Sequence, residues 1–160
     1  MKVNIIRVFA EVDELEITGA TLLTVGEAEK LPKGLRIYPR WWWLKTRGIL
    51  SNYVTLVTKL GYINKEGVDV AFEKGAVRPA LIIENLKSSN LKIGDEFKFG
   101  RYYRFVIISD NKAFCLGDIG EYYFNHFVEG ELDNFNDYEQ SDIKKIVDDW
   151  FKWSIRESKR

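Results

Sequence analysis

"WWWLKTRGILSNYVTLVTKLGYINKEGVDVAFEKGAVRPALII" (residues 41–83) decides the fold class. Short runs of β-branched and aromatic residues are punctuated by Gly61, Gly67 and Gly75. Such spacing is the rhythm of consecutive antiparallel hairpins. "RWWWLK" is too short and bulky for a helix and reads as a strand. On a strand Trp41 and Trp43 share one face and Trp42 takes the other. Arg36, Arg40, Lys45 and Arg47 frame the three indoles, and from Lys30 to Arg47 six basic residues meet no acid.

Working outward, residues 3–12, "VNIIRVFAEV", read as a strand. "ITGATLLTVGEAEKLP" reads as a turn, a short strand near residues 21–25 and a helical turn ended by Pro32. The polar "ENLKSSN" (84–90) is a connector. "DEFKFGRYYRFVIISDNKAFCLG" forms a second hairpin set, turning at Gly100-Arg101 and Asp110-Asn111. There Phe105 and Ile107 take one face and Val106 and Ile108 the other, the pattern of a central, covered strand. Residues 117–140 read as an irregular acidic loop, with ten acids against two lysines between Gly117 and Asp149. The chain ends in a helix capped by Ser141. Its apolar stripe contains Ile143, Ile146, Val147, Trp150, Phe151 and Ile155. The expected architecture is α+β, with twisted antiparallel hairpins and a packed C-terminal amphipathic helix.

The 160 residues fit one domain, residues 1–160. Within it, 1–83 carry the first strand and hairpins, 84–90 connect, and 91–160 hold the second hairpins, acidic loop and helix. Neither a membrane span nor an export signal is visible. With Cys115 as the sole cysteine, the expected setting is the cytoplasm. Basic and acidic residues balance at 24 each, which argues against a general nucleic-acid ligand.

Several quoted stretches resemble an uncharacterised domain family of Firmicutes and their phages, whose signature is a WWLRSPG-type strand and a closing GVRPAL strand. They are "WWWLKTRG", "AVRPALII", "TLLTVGEAEKLP", "IGDEFKFGRYYRFVIISDNKAFCLGDIG" and "NDYEQSDIKKIVDDWF". Together they cover roughly residues 20–153. Here the hairpin and helix follow the WWWLK and AVRPAL strands, the reverse of the common family order. The resemblance implies a circularly permuted C-type-lectin-like fold, as in formylglycine-generating enzyme and retroelement variable proteins, and a phage or prophage setting. Lys45-Thr46-Arg47 stands where the family has Arg-Ser-Pro, and Ala76 replaces the glycine before VRPAL.

Chemistry-bearing groups are sparse. One cysteine cannot supply the copper-binding pair of a formylglycine-generating enzyme, and Cys115, between apolar neighbours, reads as a buried thiol. His126 has neither a nucleophile nor a second histidine nearby. Asp133, Asn134, Asn136, Asp137 and Glu139 do not alternate as calcium-loop ligands do. The expectation is therefore a protein that is not an enzyme and holds no metal or cofactor. Trp42, Arg78 and Trp150 are assigned structural roles, Arg78 as a buried cation tied to a carboxylate or to carbonyls. The candidate contact residues are Arg40, Trp41, Trp43, Lys45, Arg47, Tyr53 and Tyr62 on the basic-aromatic side, and Glu129, Glu131, Asp133 and Asp137 on the acidic side. The function these imply is recognition of a host or phage protein through hairpin loops of the scaffold, roughly residues 47–76, with no membrane partner. The alternative is an anti-defence inhibitor, such as an anti-CRISPR, whose acidic segment mimics nucleic acid.

Overall fold

The computed structural model describes the backbone of residues 2–7, 12–50, 52–124 and 142–158, and side chains within 15–50, 52–124 and 143–158. The architecture is α+β, mostly antiparallel sheet with one long C-terminal helix. The chain divides into two compact units that interleave along the sequence. The first comprises Met1–Thr21, Pro79–Gly117 and Val147–Arg160; the second comprises Leu22–Arg78 and Asp118–Ile146. Residues 84–90 lie inside the first unit, where Leu86–Ser88 form one 3-10 turn.

The first unit is a closed six-stranded barrel. Its strands are β1 (Lys2–Arg7), β2 (Val12–Thr21), β7 (Ala80–Ile83), β10 (Lys112–Cys115), β9 (Tyr103–Ile107) and β8 (Glu96–Phe99), in that spatial order. All pairs are antiparallel, and Ile6 opposite Lys98 closes the ring. Closure leaves no strand edge open to another chain. In β8 the alternation is simple, with Phe97 and Phe99 buried and Lys98 exposed. On β9, Phe105, Val106 and Ile107 are all buried, as expected of a central covered strand. Cys115 is buried too.

The expected turn at "ITG" is a correction. Those residues run on as β2, because Gly19 takes part in a bulge against β7 and the strand continues through it. The first strand expected over 3–12 ends at Arg7, and residues 8–11 are outside the described set.

The helix α3 (Asp142–Ser158) contributes to this unit from Val147 onward. Trp150 sits 5.3–6.0 Å, centroid to centroid, from Phe99, Tyr103 and Phe105. The backbone N–H of Gly100 donates to Ser158 Oγ at 2.8 Å. Gly100 has φ +67°, and a Cβ there would lie 3.3 Å from Ser154 Cβ, so glycine permits both the turn and the helix contact. Of the expected stripe, Ile143, Val147, Trp150 and Ile155 are buried, and Ile146 and Phe151 are half-buried. Ser141, the expected cap, lies outside the described residues.

The second unit is a five-stranded sheet in the order β11 (Glu121–Tyr123), β6 (Lys74–Ala76), β3 (Trp42–Arg47), β4 (Tyr53–Val57) and β5 (Ile63–Asp69). β3 and β6 pair in parallel, and the other pairs are antiparallel. Two short helices precede the sheet, α1 (Val25–Glu29) and α2 (Lys33–Arg36). Thr24 and Glu27 build a reciprocal capping box at the start of α1. β5 is a terminal strand of the sheet, yet its rim is blunted. Lys65 on β5 pairs with Glu29 at 2.8 Å. Asn64 Oδ1 accepts from the N–H of Glu66 and of Gly67, and the Glu66 carbonyl accepts from Ile49 N–H. A lysine and self-capped amides discourage pairing with another strand.

Candidate functional site: the groove beside Trp41

The three indoles part company within the second unit. Trp42 is buried, donates its Nε1–H to the Arg36 carbonyl at 3.1 Å, and lies 4.7 Å from the Arg78 guanidinium. Arg78 is 2% exposed. Its other close ring is Tyr38 at 4.4 Å, and its Nη1 donates to the Leu35 carbonyl at 3.1 Å. The buried cation thus faces two π systems and a carbonyl, which carry partial negative charge. Trp42 and Arg78, assigned structural roles from the sequence, are both buried.

Trp41 and Trp43 do share a face, with ring centroids 4.9 Å apart and edge to face. Their fates differ. Trp43, expected among the contact residues, is a correction: it is fully buried, packs on Phe124 at 5.6 Å and donates its Nε1–H to the Tyr122 carbonyl at 2.8 Å. Both partners come from about eighty residues downstream. Trp41 precedes the strand and stays half-buried. Gly75 makes its position possible, since a Cβ there would fall 2.4 Å from Trp41 Cζ3. The indole packs against the bare backbone at Gly75.

Beside Trp41 lies an open groove of about 590 Å³. Its apolar lining is Trp41, Leu56, Leu60, Tyr62 and Val68. Thr58, Asn64, Lys59 and Glu73 supply the polar wall. The groove exists because of the β4–β5 turn. Thr58 and Tyr62 close a three-residue loop, with Thr58 N–H donating to the Tyr62 carbonyl at 2.8 Å and Gly61 N–H to the Thr58 carbonyl at 2.9 Å. Gly61 has φ +86°, the left-handed residue that such loops require. The loop lifts Leu60 and Tyr62 into solvent, at 68% and 58% exposure. Phe72, in the next turn, is 77% exposed, and Ile37 is exposed beside Gly61. Lys33 of α2 places its Nζ 4.4 Å over the Tyr62 ring.

The remaining expected contact residues are scattered. Arg40 is half exposed and ion-paired to Glu121 at 3.5 Å and Asp118 at 4.0 Å, with Tyr38 donating to Asp118 at 2.5 Å. Lys45, Arg47 and Tyr53 are half-buried along β3 and β4. Among the described residues of the expected set, only Trp41 and Tyr62 line the groove. Glu129, Glu131, Asp133 and Asp137, with His126, Asn134, Asn136 and Glu139, lie outside the described residues. Leu60 and Phe72 lie in the hairpin loops expected over roughly residues 47–76 but are not among the contact residues expected there. Their one sequence signal is large apolar residues at turn positions, in "TKLGY" and "DVAFEKG", where polar ones are usual.

Among the described residues, no group of three or more His, Cys, Asp or Glu side chains could hold a metal ion. No helix among them is long and apolar enough to cross a membrane. Comparison of the chain with protein-family models, curated proteins and solved structures finds no match.

Proposed function

We propose that this chain is a non-catalytic binding protein that recognises a partner protein through the β4–β5 face of its second unit. The observation that carries the reading is the groove beside Trp41. A solvent-facing leucine and tyrosine, raised by a glycine-dependent turn, flank an indole packed closely on Gly75. Contiguous exposed apolar surface marks sites where another molecule docks. A rigid aromatic rimmed by polar groups is typical of the centre of a protein interface.

The finer reading is a permuted C-type-lectin-like scaffold of phage or prophage origin, acting in the host cytoplasm. It rests on the WWWLK and AVRPAL resemblance. One observation supports it: Trp42 of the first motif pairs with Ala76 of the second.

The test uses tagged wild-type chain and a Leu60→Ser/Tyr62→Ser variant as bait in bacterial lysate. The expected result is a partner held by the wild type and lost from the equally folded variant. A partner retained by both sinks the proposal. A nuclease effector in that role would narrow the function to defence inhibition, and a virion or surface protein would point to display.

A further inference from the structure

The groove's charge surroundings say what kind of segment fits it. Seven of its nine lining residues fall between Lys30 and Lys65, the exceptions being Val68 and Glu73. That stretch holds eight basic residues and no acid, but Glu66 and Asp69 come just after it, and of the eight only Lys59 lines the groove. Part of this charge is spoken for, because Arg40 meets Asp118 and Glu121 and Lys65 meets Glu29. Lys59 stands in the groove wall itself, and Lys33 hangs over Tyr62 with its three donors. Against them the lining offers one carboxylate, Glu73.

We infer that the groove binds a protein segment in which carboxylates alternate with bulky apolar side chains. The apolar side chains occupy the floor between Trp41, Leu56 and Val68, and the carboxylates meet Lys33 and Lys59. Lysines at the rim of an apolar site select by charge and speed encounter, while the buried contact supplies the affinity. A peptide fits better than a single-stranded nucleic acid. Base stacking needs open aromatic faces with a track of cations, whereas this floor is largely aliphatic and one face of Trp41 is occupied by Gly75. Addition of a strand to β5 is disfavoured by the Lys65–Glu29 pair and the capped amides on that rim. The inference rests on the binding reading above and names the partner's chemistry.

The experiment titrates fluorescent peptides into the full chain. One alternates glutamate with leucine and phenylalanine, and matched controls carry lysine or glutamine for glutamate. A deoxythymidine oligonucleotide is the nucleic-acid control. The acidic peptide should bind about tenfold more tightly than the glutamine version, the lysine version should be weakest, and added salt should reduce the difference. Lys33→Glu/Lys59→Glu should invert the preference; Lys59→Gln, a milder change, should reduce it if the double variant folds poorly. Equal binding of all three peptides, lost on Leu60→Ser, overturns the charge reading and leaves the groove as a binding site. Preference for the oligonucleotide, or no peptide binding at all, overturns the inference. Wild-type self-association abolished by Leu60→Ser would make a second copy the occupant and also overturn it. Failure of the broader binding proposal reads differently, as a natural partner retained by the Leu60→Ser/Tyr62→Ser bait.

Discussion

Both units are rich in aromatic residues and use them in opposite ways. In the barrel unit, Phe97, Phe99, Phe105 and Trp150 pack on one another at 5.8–6.0 Å, and every strand has a neighbour on both sides. The five-stranded sheet of the second unit buries Trp42 and Trp43 as thoroughly, then leaves Trp41, Leu60 and Tyr62 along an open groove. Aromatic packing that saturates itself yields stability alone. Packing that stops one residue short leaves a rigid wall with apolar surface to spare. The same side-chain type is therefore scaffold in one unit and, in our reading, contact surface in the other.

The largest expected effects check that the two buried clusters are equivalent. Trp150→Ala and Trp42→Ala should each cost about 3–5 kcal/mol through lost transfer energy and the cavity left behind, read from urea midpoints. A Trp42 variant that unfolds no earlier than wild type would move that indole out of the core, and the contrast between its neighbours would lose its basis.

Arg78 tests how the second unit holds a charge in its interior. Arg78→Ala removes the guanidinium from between Tyr38 and Trp42 and leaves the Leu35 carbonyl without that donor. The expected loss is about 2–4 kcal/mol, combining a desolvated cation–π pair with an unmet acceptor. Arg78→Lys should recover little, because an ammonium cannot lie flat between two rings. Recovery to near wild-type stability would show that charge alone suffices and that stacking is incidental.

Local pattern made much of this legible. The alternation in "EFKF" and the density of "YRFVII" identify a strand with one wet face and a strand with none, because period-two burial is local information. The helical turn before Pro32 is legible for the same reason, although its Thr24–Glu27 capping box is seen only in the structure. The barrel was not legible, since its closing pairs, β1 with β8 and β2 with β7, join residues far apart in sequence. The tryptophans show the boundary of such reading. Alternation put Trp41 and Trp43 on one face, as found. Which of the two stays wet depends on Tyr122, Phe124 and Gly75, distant residues that no local period reports. The groove escaped because Leu60 sits in a turn, where an apolar residue looks incidental until its neighbours are placed.

Gly75→Ala sharpens the contrast at intermediate cost. A methyl group 2.4 Å from Trp41 Cζ3 must displace the indole or the strand, an overpacking penalty of about 1–3 kcal/mol. If the fixed indole is what makes the groove a site, affinity for the acidic peptide should fall by more than the stability loss explains, when measured well below the melting transition. A stable Gly75→Ala chain with full affinity would make the seating of Trp41 irrelevant to binding.

The smallest expected effect bears hardest on the comparison. Leu60 is two-thirds exposed at the apex of a three-residue turn, so its side chain contributes little to folding. Leu60→Ser should shift stability by no more than about 0.5 kcal/mol, as surface substitutions do, with an unchanged urea slope. A leucine in the barrel wall, by contrast, would cost about 2–5 kcal/mol on truncation to alanine. The substitution removes apolar area from the groove rim and leaves the Gly61 turn intact. It should therefore separate two properties that a core mutation always confounds, leaving the fold and losing the partner. If Leu60→Ser destabilised the chain like a core substitution, Leu60 would belong to the packed interior in solution. The second unit would then be saturated like the barrel, and the groove would no longer be a surface on which anything docks.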